Sequence, residues 1–200
     1  LIGLLTPDAG EIIFEGSELK NTDVNDVLKK GISMIHQEML VVPELTVAQN
    51  IFLGRESTSW LPSWLDDRSI DRQSEALLQQ MGVAIHARTK MKHLSVAEMQ
   101  MVEIAKAISN NAKVIIMDEP TSAISEKEVS TLFNIIKDLK SKGVAIIYIS
   151  HKMDEIYQIA DTITVLRDGK YIGTKSAAEL DSKSLITMMV GREMDDLFPK

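Results

Sequence analysis

Two short stretches, 114–117 (VIIM) and 144–149 (VAIIYI), are almost wholly apolar and rich in β-branched residues, and each stops abruptly on polar groups. A strand with one wet face alternates apolar and polar positions. A near-continuous apolar run is instead the pattern of a strand buried on both faces, the usual condition of a parallel sheet covered by helices. Segment 32–36 (ISMIH) reads as another strand, and 11–15 (EIIFE) as a short one after the turn Pro7-Asp8-Ala9-Gly10. Residues 162–166 and 170–174, joined by Asp168-Gly169, read as a hairpin, since Asp-Gly tolerates the positive φ angles of a two-residue turn. Such strands alternating with helical segments specify an α/β protein.

The helices are marked by capping boxes, in which a hydroxyl and a Glu or Gln three residues on satisfy backbone N–H groups reciprocally. Thr46…Gln49, Ser95…Glu98 and Ser125…Glu128 fit this pattern. The last opens an amphipathic stripe of Val129, Leu132, Phe133, Ile136 and Leu139. Leu77, Leu78 and Met81 form another stripe that ends at Gly82, a fitting residue just past a helix end. Residues 43–109 therefore read as a helical subdomain inserted into an α/β core made of 1–42 and 110–183, with a last helix and linker over 184–200.

Composition narrows the functional classes. The chain has 200 residues, 44% of them apolar, with 22 Lys+Arg against 29 Asp+Glu, a formal charge of −7. That balance argues against a protein that coats nucleic acid, which carries a basic footprint. The absence of cysteine excludes disulfides, thiolate metal sites and cysteine nucleophiles. No apolar run reaches the roughly 18–20 residues that span a bilayer, and no export leader is visible. The chain starts at Leu1 without a Met, which suggests a fragment.

The richest chemistry lies in 114–120 (VIIMDEP), where a buried strand ends in Asp118 and Glu119. Open α/β sheets bind ligands at the carboxyl ends of their strands. Mg²⁺ is typically held there by one or two carboxylates plus substrate phosphates, a role open to Asp118 directly or through water. Glu119, next in line, is suited to polarise an attacking water. The bland alternative is a solvated strand-to-loop transition; the apolar run, Pro120 and the companion segments favour the chemical one. In 144–151 (VAIIYISH) a second strand ends at Ser150 and His151, where a histidine either senses a phosphate or packs beside the following helix. Segment 94–100 (LSVAEMQ) opens a helix whose free N–H groups form an anion site, while Met99, Val102, Ala105 and Ile108 form its core face; both readings hold together. Gln37, after ISMIH, offers a neutral amide to Mg²⁺ or water, or is an ordinary loop residue. His36, His86 and His93 have no metal-ligand spacing, and the Trp60–Trp64 region is either a docking surface or a buried loop.

In this order, Gln37, LSVAEMQ, VIIMDEP, SAIS (122–125) and ISH (149–151) resemble the Q-loop, signature, Walker B, D-loop and switch-histidine motifs of the ATP-binding cassette (ABC) ATPases. The resemblance covers the chain from end to end. Stretches such as NAKVIIMDEPTSAISEKEV and MMVGREMDDLFP are similar to the monosaccharide-import branch, which carries two cassettes in tandem and includes the galactose/methyl-galactoside and ribose importers. It implies a P-loop NTPase-like parallel core sheet with an inserted helical subdomain, here the first cassette truncated at its N-terminus. It implies ATP and Mg²⁺ as ligands, Glu119 as general base, Asp118 and Gln37 as metal ligands, and His151 at the γ-phosphate. Ser95 with Val96, Ala97 and Glu98 would meet the nucleotide of the opposite cassette, and Ser122 to Ser125 would line the cassette interface. The implied partners are permease subunits met by 43–67, a second cassette of the same polypeptide and, indirectly, a periplasmic or lipoprotein sugar-binding protein, with no nucleic acid. The implied location is the cytoplasmic face of the membrane.

Three departures from the family pattern stand out. No G-x-x-x-x-G-K-[ST] stretch occurs; the one Gly-Lys pair, Gly169-Lys170, falls in the hairpin, so the phosphate loop and its central strand are expected upstream of Leu1. Without that strand, the isolated chain is expected to be destabilised or inactive, or to associate. The signature glycines are replaced by Val96-Ala97 and the following Gln by Glu98, a carboxylate tolerable near phosphate only if it turns back to cap Ser95. Ser125 stands where the D-loop carries Asp. Alternatives of other kinds are a soluble cassette ATPase outside transport, and a non-catalytic fragment that does not bind ATP alone.

Overall fold

The computed structural model describes residues 1–19, 23–38, 40–55 and 67–191. Trp60, Trp64 and the linker segment 192–200 lie outside them. The chain divides into two compact units, Leu1–Ile149 and Ser150–Lys200.

The first unit is built on a parallel sheet. A two-residue hairpin, β1 (Ile13–Phe14) and β2 (Ser17–Glu18), replaces the longer strand expected over 11–15, because Glu15 and Gly16 both take positive φ and turn the chain back at once. Helix α1 (Val24–Lys29) is capped by Asp23, whose carboxylate accepts the Asp26 N–H at 2.8 Å. Strand β3 (Ile32–Ile35) follows. The helical stretch comprises α2 (Val47–Ile51), α3 (Asp67–Gln80), a 3₁₀ turn at Met91–His93 and α4 (Val96–Ser109). Thr46 and Gln49 form the expected capping box on α2. Gly82, at φ +70°, closes α3 with the paired bonds Val83 N–H to Leu78 O and Gly82 N–H to Gln79 O.

Strand β4 (Val114–Asp118) lies between β3 and β5 (Ala145–Ile149), parallel to both. Alternation sends Ile116 to one face, into a cluster with Leu19, Val27 and Ile32, while Ile115 and Met117 are fully buried on the other. Helix α5 (Glu126–Ser141) packs against β5 and buries Leu132, Phe133, Ile136 and Leu139 of the stripe read from the sequence, while Val129 of that stripe is half-buried.

Burial of β5 on both faces does not hold. Its exposure alternates, and Ile147 and Ile149 remain 39% and 45% exposed. The cause is position: β5 is the edge of this three-stranded sheet, and α5 covers the side that carries Tyr148, whose ring meets Phe133 edge-on at 6.4 Å.

The second unit holds α6 (Met153–Ile159), the antiparallel pair β6 (Thr162–Arg167) and β7 (Lys170–Ser176), and α7 (Ser182–Val190). Asp168 and Gly169 take φ of 51° and 73°, the turn the sequence called for. Ile163, Val165, Leu180 and Leu185 form its core, and the Tyr157 hydroxyl donates to the Leu180 carbonyl at 2.8 Å. Asp181 caps α7, accepting from the Ser184 hydroxyl at 2.6 Å and its N–H at 2.9 Å. The Ser184 hydroxyl and then its amide hold the Asp181 carboxyl below its usual range. A carboxyl whose folded pKa is lowered stabilises the fold above its unfolded pKa and loses that contribution as pH falls through the folded value. Acidification from neutral pH to below the normal Asp range is thus expected to destabilise wild-type protein more than Asp181→Asn, as read by thermal melts across pH. Parallel pH curves for the two would count against the cap.

Candidate functional site

The parallel register brings three strand ends to one edge: Ile35 pairs with Met117, and Asp118 with Ile149. Gln37 follows β3 by two residues and is exposed; Asp118 ends β4 and is half-buried. Glu119 continues the ladder by donating its N–H to the Ile149 carbonyl at 2.9 Å, then leaves it at φ +45°. A left-handed glutamate costs on the order of 1 kcal/mol, and such strain collects where a functional group must be aimed. The turn is closed by the Ser122 N–H donating to the Glu119 carbonyl at 3.2 Å around Pro120 and the buried Thr121. Pro120 presets the φ of the first central position of such a turn. Two adjacent carboxylates are therefore held at the sheet edge by a strand that is buried and a turn that is rigid.

Downstream, Ser122 and Ser125 are exposed. The Ser125 N–H and hydroxyl both donate to Glu128 Oε2 at 2.7 Å, which keeps the Glu128 carboxyl below its ordinary range. Ser125 thus opens α5, as a serine in this place was expected to do.

The start of α4 forms a group of its own. Glu98 folds back, its Oε2 accepting the Ser95 N–H at 2.8 Å and the Ser95 hydroxyl at 2.9 Å, while the Glu98 N–H donates to Ser95 Oγ at 3.3 Å. The carboxylate is thereby drawn back to its own cap. The Ser95 hydroxyl is committed to Glu98, so the backbone N–H groups of Val96 and Ala97 are the better anion donors here. Ala97 is buried, whereas the Val96 side chain is 41% exposed.

His151 belongs to the second unit and is exposed there. It sits in the turn into α6, beside Ser150, whose hydroxyl accepts the Lys152 N–H at 3.0 Å, and near the Lys152–Glu155 ion pair at 3.1 Å.

Among the described residues, no group of three or more His, Cys, Asp or Glu forms a metal cage. A carboxylate with a nearby neutral amide suits Mg²⁺ that keeps water and substrate phosphates for its other ligands. Gly169-Lys170 is an exposed hairpin turn of the second unit and makes no phosphate cradle. Outside the motifs, Glu103 and Ser33 each bury a side-chain oxygen without a hydrogen bond. Glu103 could have been noticed as the lone carboxylate inside MVEIAKA.

A family model described as ABC transporter matches residues 1–122. A protein of Geobacillus kaustophilus named as a ribose/galactose/methyl galactoside import ATP-binding protein is 55% identical over all 200 residues, which cover 40% of its length. One of the same name from Halalkalibacterium halodurans is 54% identical, with 38% of its length covered. The chain thus spans about two-fifths of the curated relatives it matches. Among solved structures, a nucleotide-free ATP-binding cassette from an ABC transporter matches the whole chain and 81% of its own, at 22% identity and TM-score 0.77. An ATP-binding cassette in its ADP conformation matches 95% of this chain and 80% of its own, at 23% identity and TM-score 0.78.

Proposed function

The chain belongs to the ABC transporter family, and from that premise we propose that it forms part of the ATP-hydrolysing subunit of a monosaccharide importer, acting on galactose- or ribose-like sugars. The observation that carries this is the junction of Asp118 and the strained Glu119 at the carboxyl edge of the sheet, in a chain 55% identical throughout to an import ATP-binding protein.

Glu119 acts as general base on the water that attacks the γ-phosphorus. Asp118 and Gln37 would hold Mg²⁺, which when bound would neutralise developing charge on the phosphates. His151 hydrogen-bonds the γ-phosphate. The Val96 and Ala97 N–H groups, with Ser95, face the nucleotide of a second cassette, and Ser122 to Ser125 border that interface. The subunit works at the cytoplasmic face of the membrane with permease subunits and, through them, a sugar-binding protein.

Because these 200 residues contain no G-x-x-x-x-G-K-[ST] stretch, a polypeptide of them alone is expected to bind Mg-ATP weakly and to turn it over negligibly. The full gene product should bind tightly, and disruption of the gene should abolish high-affinity uptake of one such sugar. Calorimetry on both polypeptides and radiolabelled-sugar uptake check this; equal, tight binding by the short form removes the phosphate-loop argument, and uptake that survives disruption removes the importer reading.

A further inference from the structure

Helix α6 begins after Lys152, whose side chain makes no capping bond. In a capping box, a glutamate at the third helical position reaches back to the N–H of the cap residue directly. Glu155 occupies that position, yet the Lys152 N–H donates instead to Ser150 Oγ at 3.0 Å. The Ser150 hydroxyl in turn donates to Glu155 Oε2 at 3.5 Å, the long end of such a bond. The other carboxylate oxygen, Oε1, pairs with Lys152 Nζ at 3.1 Å, and the Glu155 N–H donates to the Lys152 carbonyl at 3.2 Å. One carboxylate therefore reaches both residues that flank His151.

Glu155 is 8% exposed, whereas His151 and Lys152 stand in solvent. Withdrawing a carboxylate from water is costly, and starting a helix does not require it. Ser125 and Asp181 open α5 and α7 from exposed positions in this same chain. What the buried carboxylate adds at α6 is an anchor inside the fold. A side chain locked by packing holds its partners more narrowly than two surface side chains hold each other. With Ser150 and Lys152 both tied to that anchor, the histidine between them is left few directions in which to project.

We infer that Glu155 is a positioning residue for His151, holding the turn from Ser150 to Lys152 so that the imidazole is already aimed at the γ-phosphate. The inference rests on the role proposed above for His151 and extends it to the group that orients it.

The test is a double-mutant cycle in the full-length protein, with turnover expressed per folded molecule. Glu155→Ala should lower kcat by about 10–100-fold, the scale for a catalytic group set slightly out of place. In a His151→Ala background the same substitution should cost less than about threefold, because the residue it positions is gone. Ser150→Ala removes the hydroxyl link and leaves the buried site alone. It should lower kcat by about 3–10-fold, again only when His151 is present. Glu155→Gln keeps an acceptor without the charge and should fall between wild type and Glu155→Ala. Wild-type turnover by both Glu155→Ala and Ser150→Ala would overturn the proposal. So would losses of equal size with and without His151, which would make Glu155 a purely structural residue. If Glu155→Ala does not fold, Ser150→Ala carries the same comparison. Wild-type turnover by His151→Ala alone would instead remove the role of His151 and, with it, this inference.

Discussion

In the full-length protein, Glu119→Gln is expected to lower ATP turnover by about 10²–10⁴-fold, the range for loss of a positioned general base, while ATP still binds. The amide is nearly isosteric, so it can sit at the same left-handed position and leave the backbone bond to Ile149 and the turn to Ser122 in place. It cannot accept a proton from water. Asp118→Asn at the preceding position should behave differently, raising the Mg²⁺ concentration needed for half-maximal turnover, because it weakens a hard oxygen ligand. Steady-state hydrolysis and nucleotide binding on the same preparations separate the two. Turnover by Glu119→Gln within tenfold of wild type would remove Glu119 as the base.

What was legible in the sequence was what depends on local chemistry. The runs 32–35 and 114–118 became strands, as their apolar and β-branched residues favour, and they pair in parallel. Glu98 turned back onto Ser95 because the spacing of a capping box allows little else. What was not legible depends on partners far away in sequence. The composition of β5 matches that of β4, yet its burial is set by which strands and helices lie beside it. The positive φ of Glu119 has no signature in residue type, since glutamate rarely adopts it; the surrounding turn imposes it. Glu103 lies in a largely apolar helix, and the burial of its Oε1 without a hydrogen bond appears only once the fold is assembled.

The second large effect is on stability. Leu132 is fully buried on α5, the helix that begins seven residues after Glu119 and covers one face of the sheet. Leu132→Ala is expected to cost about 2–5 kcal/mol, the sum of lost transfer energy and the cavity left behind. Against a typical domain stability of about 5–15 kcal/mol, that is a large share. At about 2–4 °C per kcal/mol for a domain of this size, the melting temperature of the cassette should fall by roughly 4–20 °C. Ser130→Ala, on the exposed face of the same helix, is the control and should shift it by little. Melting of the full-length variants checks this, and equal shifts for the two would mean that α5 does not hold the sheet. Turnover per folded molecule separates packing from chemistry. Leu132 is a buried packing residue outside the proposed site, so below its lowered melting point Leu132→Ala should hydrolyse ATP at close to the wild-type rate, whereas Glu119→Gln should stay slow at every temperature. A strand end that aims its carboxylates through backbone bonds to a neighbouring strand depends on α5 for its survival, while its geometry is set by the ladder itself.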